Sequence, residues 1–320
     1  MLTRPPLLGC VSSMNLKQIE TFIWIARLGS FAAASQRLNT TQSAISTRIQ
    51  ELELDLGVQL FVRGRRAASL TAKGHDLLGR AEALMEQVWD IQTSVGEAEQ
   101  VSGIIRMGVA DLIALTWLGD LVKEIHANYR RVKLDLQIGL AMELVEKLRG
   151  GELDIVLAPG DAWRSEFSAV PLGHAEFLWM ARSDFDIPDR ALSPRDLQQW
   201  PIITLSSQSY HHRLVNQWFR DNKASSRNYI ECNSIGVIAS LTADGLGIGL
   251  IPTSFVSERL KAGELRIVTC DPQIAPVGMF ALFQKDCTHP LANEIASIAS
   301  RVSPLADAGE RIQKADPALQ

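Results

Sequence analysis

A chain of 320 residues is long enough for two or three separately buried cores. It is 46% hydrophobic and 21% charged with a mean hydropathy of +0.04, the balance of a soluble globular protein, and its net charge of −4 excludes a uniformly basic nucleic-acid binder. The charge is uneven, however: residues 14–75 carry eight Lys/Arg against four Asp/Glu, whereas residues 76–320 carry 23 against 32. A basic head on an acidic body is the asymmetry expected when one end meets phosphate.

The four cysteines, Cys10, Cys232, Cys270 and Cys287, form no C-x-x-C pair and no metal-ligand spacing with the six histidines. No metal and no cofactor is expected. The thiols read as reduced and buried in a cytoplasmic protein, with a redox switch as the alternative. Leu7-Leu8-Gly9-Cys10 has the look of a lipoprotein cleavage box, but two leucines after two prolines fall short of the ~7–15 residues of a secretory apolar region. Residues 1–13 therefore read as a disordered extension or as a misplaced start, with Met14 the true one. No segment reaches the ~18 uncharged apolar residues of a membrane span. The most apolar stretch, Ile235–Ile251, is broken by Asp244 and four glycines.

From Asn15 to Leu28 the apolar positions recur at three- and four-residue steps, which predicts an amphipathic helix. Gly29 ends it, and Ser30 caps a second helix over Phe31–Leu38. Asn39-Thr40 makes a short turn, and Thr41 caps a third helix from Gln42 to about Leu56, stopped by Gly57. Leu60-Phe61-Val62 and Ala68-Ser69-Leu70-Thr71 flank the basic tip Arg63-Gly64-Arg65-Arg66, the pattern of a two-stranded wing. Lys73 to about Glu99 predicts a long helix in which Leu77, Ala81, Leu84, Val88, Ile91 and Val95 repeat at 4-3-4-3-4. That 3.5-residue period is the mark of a coiled-coil seam, and so of dimerisation; the alternative is a face packed on the chain's own domain.

After a hinge at residues 100–103 the pattern changes to strands alternating with helices. The expected order is strand Ile104–Val109, helix Leu112–Tyr129, strand Leu134–Ile138, helix Glu143–Arg149 and strand Leu153–Leu157, a parallel α/β unit. A second set follows: strands Phe177–Ala181 and Ile202–Leu205, a helix near Arg213–Asn222, strand Tyr229–Cys232, helix Ile235–Ala243, and strands Ile248–Ile251 and Met279–Phe283. Helix Pro290–Val302 closes the fold, and the tail from Ser303 is expected to fray. Two α/β lobes with the chain crossing between them suit a hinged sensor with a cleft.

Three stretches resemble the LysR-type transcriptional regulators. The first runs from Phe31 to Gly74 and includes Phe31-Ala32-Ala33-Ala34-Ser35-Gln36-Arg37-Leu38, Thr41-Gln42-Ser43-Ala44-Ile45-Ser46, Leu60-Phe61-x-Arg63 and Leu70-Thr71-x-x-Gly74. The others are Gly151-Glu152-Leu153-Asp154-Ile155 and Ala243-Asp244-Gly245-Leu246-Gly247-Ile248-Gly249-Leu250-Ile251-Pro252. The resemblance implies an α/β protein with an N-terminal winged helix-turn-helix over 14–72, a linker helix and hinge over 73–102, and a two-lobed, periplasmic-binding-protein-like sensor over 103–302. It further implies a homodimer or homotetramer that binds an inverted repeat in double-stranded promoter DNA, takes a small-molecule effector and meets RNA polymerase, with no membrane partner.

On the third helix, Ile45, Ile49 and Leu52 share one face and must point into the domain. Gln42, Ser43, Ser46, Thr47 and Gln50 then face outward, where a recognition helix meets base edges. Arg48 lies at the edge of that face, where relatives commonly carry Gln, and Thr47 stands where they carry Arg. Phosphate and minor-groove contacts therefore fall to Arg48 and to Arg63, Arg65 and Arg66 of the wing. In the related sensors the effector touches strand ends and helix starts between the lobes. In this chain those positions are Asp111, Leu140, Ala141, Thr204, Ser206, Ser207, Ser209, Asn233 and Ser234. Serines before a helix suit a carboxylate, so an organic acid is expected. Asp111 reads either as the N-cap of its own helix or as a cleft group that asks the effector for an amino or hydroxyl donor. An enzyme built on His211-His212 has no G-x-S-x-G turn, and a transporter's solute-binding protein would have no use for a helix-turn-helix.

Overall fold

The structure, a computed structural model, describes residues 14–62, 68–94, 102–226, 228–285 and 291–305. The chain forms two compact units, divided in the main between residues 97 and 98.

The N-terminal unit is built by capped helices. In α1 (Leu16–Leu28), Asn15 and Gln18 form a reciprocal capping box, and Gly29 ends the helix at φ +61°. Ser30 caps α2 (Phe31–Arg37) by accepting from Ala33 N, Asn39 turns the chain at φ +48°, and Thr41 caps α3 (Gln42–Leu56) by accepting from Ala44 N. Each cap satisfies an amide that the first helical turn leaves without a partner. Ile19, Phe22, Ile25, Ile45 and Leu52 are fully buried at the centre of this unit. The base of the wing is the antiparallel bridge between Phe61 and Leu70; its tip, with Arg63, Arg65 and Arg66, lies outside the described residues. Glu53 aims the chain into the wing, its Oε1 accepting from Leu60 N at 2.7 Å and Phe61 N at 3.2 Å.

Helix α4 (Ala72–Ser94) begins where Thr71 Oγ1 accepts from Gly74 N at 3.0 Å and donates to Gln59 O at 2.7 Å. The first three positions of the apolar stripe on this helix pack within its own unit. Ala81 is buried in the core, Leu77 and Leu84 pack against that core, and Arg27 of α1 pairs with Glu82 at 2.9 Å. Further along the stripe, Val88 is half-buried, Ile91 is 61% exposed, and Val95 lies outside the described residues.

The C-terminal unit holds two mixed sheets. The first lobe contains β1 (Ser102–Ala110), β2 (Arg131–Gly139), β3 (Ile155–Pro159), β4 (Ser168–Ala175) and β10 (Val277–Phe283), in the order β2-β1-β3-β10-β4. The second contains β5 (Phe177–Arg182), β6 (Ile202–Leu205), β7 (Tyr229–Cys232), β8 (Ile248–Pro252) and β9 (Leu265–Ile267), in the order β7-β6-β8-β5-β9. In each lobe the strands joined by helical crossovers pair in parallel, and the strands next to the inter-lobe crossings pair antiparallel. The helices are α5 (Asp111–Thr116), α6 (Leu118–Asn128), α7 (Ala141–Arg149), α8 (Pro194–Leu197), α9 (Tyr210–Asp221), α10 (Ile235–Ala243), α11 (Thr253–Lys261) and α12 (Leu291–Val302).

The single helix expected over Leu112–Tyr129 is two, broken at Trp117 (φ −125°), whose side chain is buried. Elements β4, α8, α11 and β9 go beyond the sequence reading. Strand β4 contains Pro171 and Gly173, which read as turn punctuation; the sheet accommodates them on an edge strand, at a register shift opposite Met279 and Phe280. Two motifs of the resemblance acquire a structural purpose here. Asp154 ties β3 to β1, its Oδ2 accepting from Arg106 N at 2.8 Å and its own amide donating to Arg106 O at 2.8 Å. Gly245 turns the chain from α10 toward β8 at φ +77°.

Candidate DNA-contact face and effector cleft

Helix α3 turns Ile45, Ile49 and Leu52 into the core and leaves Gln42, Ser43, Thr47 and Gln50 exposed. Ser46 is half-buried, its Oγ donating to Gln42 O at 3.0 Å, and Ser43 Oγ lies 3.0 Å from Thr41 Oγ1. Arg48 is also half-buried: its Nη1 donates to Thr21 Oγ1 at 3.3 Å, so it braces α3 on α1. The outward face is therefore short, polar and uncharged. Such groups read base edges through paired hydrogen bonds, while charge supplied elsewhere holds the backbone.

In the C-terminal unit a cleft of about 530 Å³, its open mouth included, lies between the two lobes. The first lobe contributes Asp111, Leu140, Ala141 and Met279, and the second Phe177, Ser209, Tyr210, His211, Leu214 and Ile235. Of the residues expected there, Asp111, Leu140, Ala141 and Ser209 line it. Thr204, Ser206, Ser207, Asn233 and Ser234 do not. Thr204 is fully buried beneath the lining and hydrogen-bonds His211. Ser207 N donates to Glu231 Oε2 at 3.1 Å, and Ser234 Oγ donates to Asp111 Oδ2 at 3.0 Å. Ser209 is itself buried and its Oγ accepts from His212 N at 2.9 Å, so it caps α9 rather than offering a hydroxyl. Of the two readings of Asp111, the N-cap of its own helix is not the one found. Ala110 is the N-cap of α5 with no side-chain bond, and the Asp111 carboxylate reaches across to the start of α10.

His211, Tyr210 and Phe177 join the lining beyond the residues that the sequence pattern singles out. Their one sequence signal is position: His211 and Tyr210 form the first turn after the Ser209 cap, and Phe177 opens β5 just after the crossing between lobes. His211 is buried among apolar groups, which pushes its pKa down to about 4 and keeps the ring neutral. Its Nε2–H donates to Leu250 O at 2.8 Å, which leaves Nδ1 to accept from Thr204 Oγ1 at 3.0 Å. The ring thus joins α9 to the central strands β6 and β8. Cys232 and Cys270 both have thiols pushed up by burial, Cys270 to about 12, which disfavours the thiolate that redox chemistry needs. Cys10 and Cys287 lie outside the described residues. Among the described residues there is no cluster of His, Cys, Asp or Glu able to hold a metal, and no helix long and apolar enough to cross a membrane.

A helix-turn-helix unit joined to a two-lobed α/β unit with a cleft defines a class, that of ligand-responsive DNA-binding regulators. Residues 16–75 match the model of the bacterial regulatory helix-turn-helix proteins of the lysR family, and residues 98–302 match the LysR substrate binding domain. The chain belongs to the LysR family, whose members are non-enzymatic DNA-binding transcriptional regulators with an effector-binding domain. It is 24% identical over 273 residues to the HTH-type transcriptional regulator CzcR of Bacillus thuringiensis subsp. konkukian, covering 85% of this chain and 92% of the relative. It is 28% identical over 251 residues to BbuR of Bordetella bronchiseptica, covering 77% of each. Among solved structures, a full-length OxyR variant from Pseudomonas aeruginosa superposes with a TM-score of 0.63 at 20% identity, over 92% of this chain and 97% of that one. ArgP from Mycobacterium tuberculosis gives 0.60 at 22% identity, over 90% and 96%. Both show the same fold.

Proposed function

We propose that this regulator reads an interrupted inverted repeat in promoter DNA with Gln42, Ser43, Ser46, Thr47 and Gln50. In this reading Arg48, Arg63, Arg65 and Arg66 supply the phosphate and minor-groove contacts. The observation that carries the proposal is the outward face of α3, where uncharged hydrogen-bonding side chains stand exposed on a helix whose opposite face is locked into the core. Two copies joined by a two-fold axis would read the two halves of the repeat, and four copies two such sites. The seam belongs to the later positions of the stripe, Val88, the exposed Ile91 and Val95, because Leu77, Ala81 and Leu84 already pack against the core of their own unit.

A small organic effector with an apolar body occupies the inter-lobe cleft, and its binding changes how the protein engages DNA and RNA polymerase. The lining of Leu112, Leu140, Phe177, Leu214, Ile235 and Met279 supports an apolar body. The helix assignment is tested with Gln42→Ala, titrated against a duplex selected from a random pool by the wild type and against a scrambled duplex. The substitution should weaken the selected duplex by about 1–3 kcal/mol and leave the scrambled one nearly unchanged. Equal weakening of both would show that Gln42 reads no base.

A further inference from the structure

Asp111 stands at the first turn of α5, on the first lobe's side of the cleft, and works on the other side. Its Oδ2 accepts from Ile235 N at 2.6 Å and from Ser234 Oγ at 3.0 Å, both at the N-terminus of α10 in the second lobe. A carboxylate is favoured there, because the first amides of a helix have no partners within it and the helix dipole is positive at that end. The protein thus fills with its own acid the place where an acidic ligand would bind. Among the described residues Asp111 Oδ1 accepts no hydrogen bond, and Asp111 lines the cleft. It is the one acidic residue of the lining, which contains no Lys or Arg and is otherwise dominated by apolar side chains. Arg213 of α9 is not part of the lining; its Nη2 donates to Met142 Sδ at 3.1 Å. Oδ1 is therefore open to a donor carried by a ligand, and a second carboxylate brought beside Asp111 would be repelled.

We infer that the effector carries an ammonium group on an apolar body, and that Asp111 Oδ1 is the acceptor that selects it. This rests on the reading of the cleft as the effector site, and it replaces the organic acid expected from the sequence. Two oxygens of one side chain then have separate duties. Oδ2 holds the lobes together through α10, and Oδ1 chooses the ligand. Because both oxygens belong to one carboxylate, a ligand that draws on Oδ1 also acts on the contact between lobes.

The test uses the full chain and matched probe pairs that differ in the charged end: hexylamine with hexanoate, and 2-phenylethylamine with 3-phenylpropanoate. Titration calorimetry and thermal shifts should show the amines binding the wild type and raising its melting temperature, with their carboxylate partners at least tenfold weaker. Asp111→Asn retains an oxygen for Ile235 N and removes the charge. It should lose at least tenfold in amine affinity, and Asp111→Glu should recover part of it. Carboxylates that bind the wild type as tightly as the amines would overturn the inference, as would amines that bind Asp111→Asn undiminished or no amine binding at millimolar concentration. Ala141→Trp, which fills the cleft, separates the two readings. A carboxylate that binds the wild type as tightly as its amine partner and is lost in Ala141→Trp keeps the cleft as the site and overturns only the role of Asp111. A probe that binds Ala141→Trp as well as it binds the wild type would place the site elsewhere and overturn both.

Discussion

Gly74→Ala is expected to destabilise the N-terminal unit by about 3 kcal/mol, the upper end of the range for overpacking a filled site, and to abolish DNA binding with it. A Cβ built at Gly74 lies 2.3 Å from the carbonyl oxygen of Leu60 and 2.9 Å from Leu70 Cδ2. The first of these is backbone at the base of the wing. It cannot step aside, because the same carbonyl accepts from Thr71 N at 2.9 Å and the preceding carbonyl accepts from Thr71 Oγ1. The added methyl must therefore part α4 from the wing or break the Thr71 cap. Gly79→Ala on the same helix is the control, since a Cβ there meets nothing within 4 Å. That change should be neutral or stabilising by up to about 1 kcal/mol, as expected for replacing glycine in an exposed helix. Urea denaturation of the two variants checks the pair, and a Gly74→Ala protein as stable as Gly79→Ala would contradict the packing described.

The second large effect is a loss of stability in mild acid, caused by His211. An unfolded histidine titrates near 6.5, whereas burial depresses the folded value to about 4. Above about pH 6.5 both states are neutral and the full stability is present. As pH falls from 6.5 toward 4, the unfolded state takes up a proton that the folded state refuses, so stability is lost across that window. The difference of about 2.5 pH units corresponds to roughly 3 kcal/mol. Denaturation of the C-terminal unit at pH 7 and pH 4.5, followed by tryptophan fluorescence, should show this loss in the wild type. In His211→Gln, a variant less stable at pH 7, the dependence on pH over that window should largely disappear. An equally steep dependence in the variant would mean that another group carries the effect.

Local chemistry was legible in the sequence wherever one residue decides the outcome. Asn15, Ser30 and Thr41 cap the helices that follow them, and Gly29 and Gly57 stop theirs in the left-handed region. The outward and inward faces of α3 follow from the 100° step and from three apolar residues. Features that depend on distant partners were not legible. The stripe from Leu77 to Ile91 announces an apolar face but not what covers it, and most of the cover comes from the unit itself. Thr204 looked like a cleft hydroxyl because it ends a strand, yet β6 runs through the middle of its sheet and spends that hydroxyl on His211. The sequence leaves Asp111 between a local cap and a cleft group, because the partner it serves is 124 residues further along the chain. Periodicity carries no information about such pairings. Strand β4 was hidden for another reason: Pro171 and Gly173 are breakers in a central strand but tolerated at an edge, and edge position is a property of the finished sheet.

The central claim, that the chain reads a two-fold site with paired recognition helices, is tested most directly by footprinting the wild type on duplexes it selects from a random pool. The account predicts an interrupted inverted repeat whose half-sites are protected together, with centres one helical turn, about 34 Å, or a multiple of it apart. Protection of one short asymmetric half-site, or no enriched sequence at all, would contradict it.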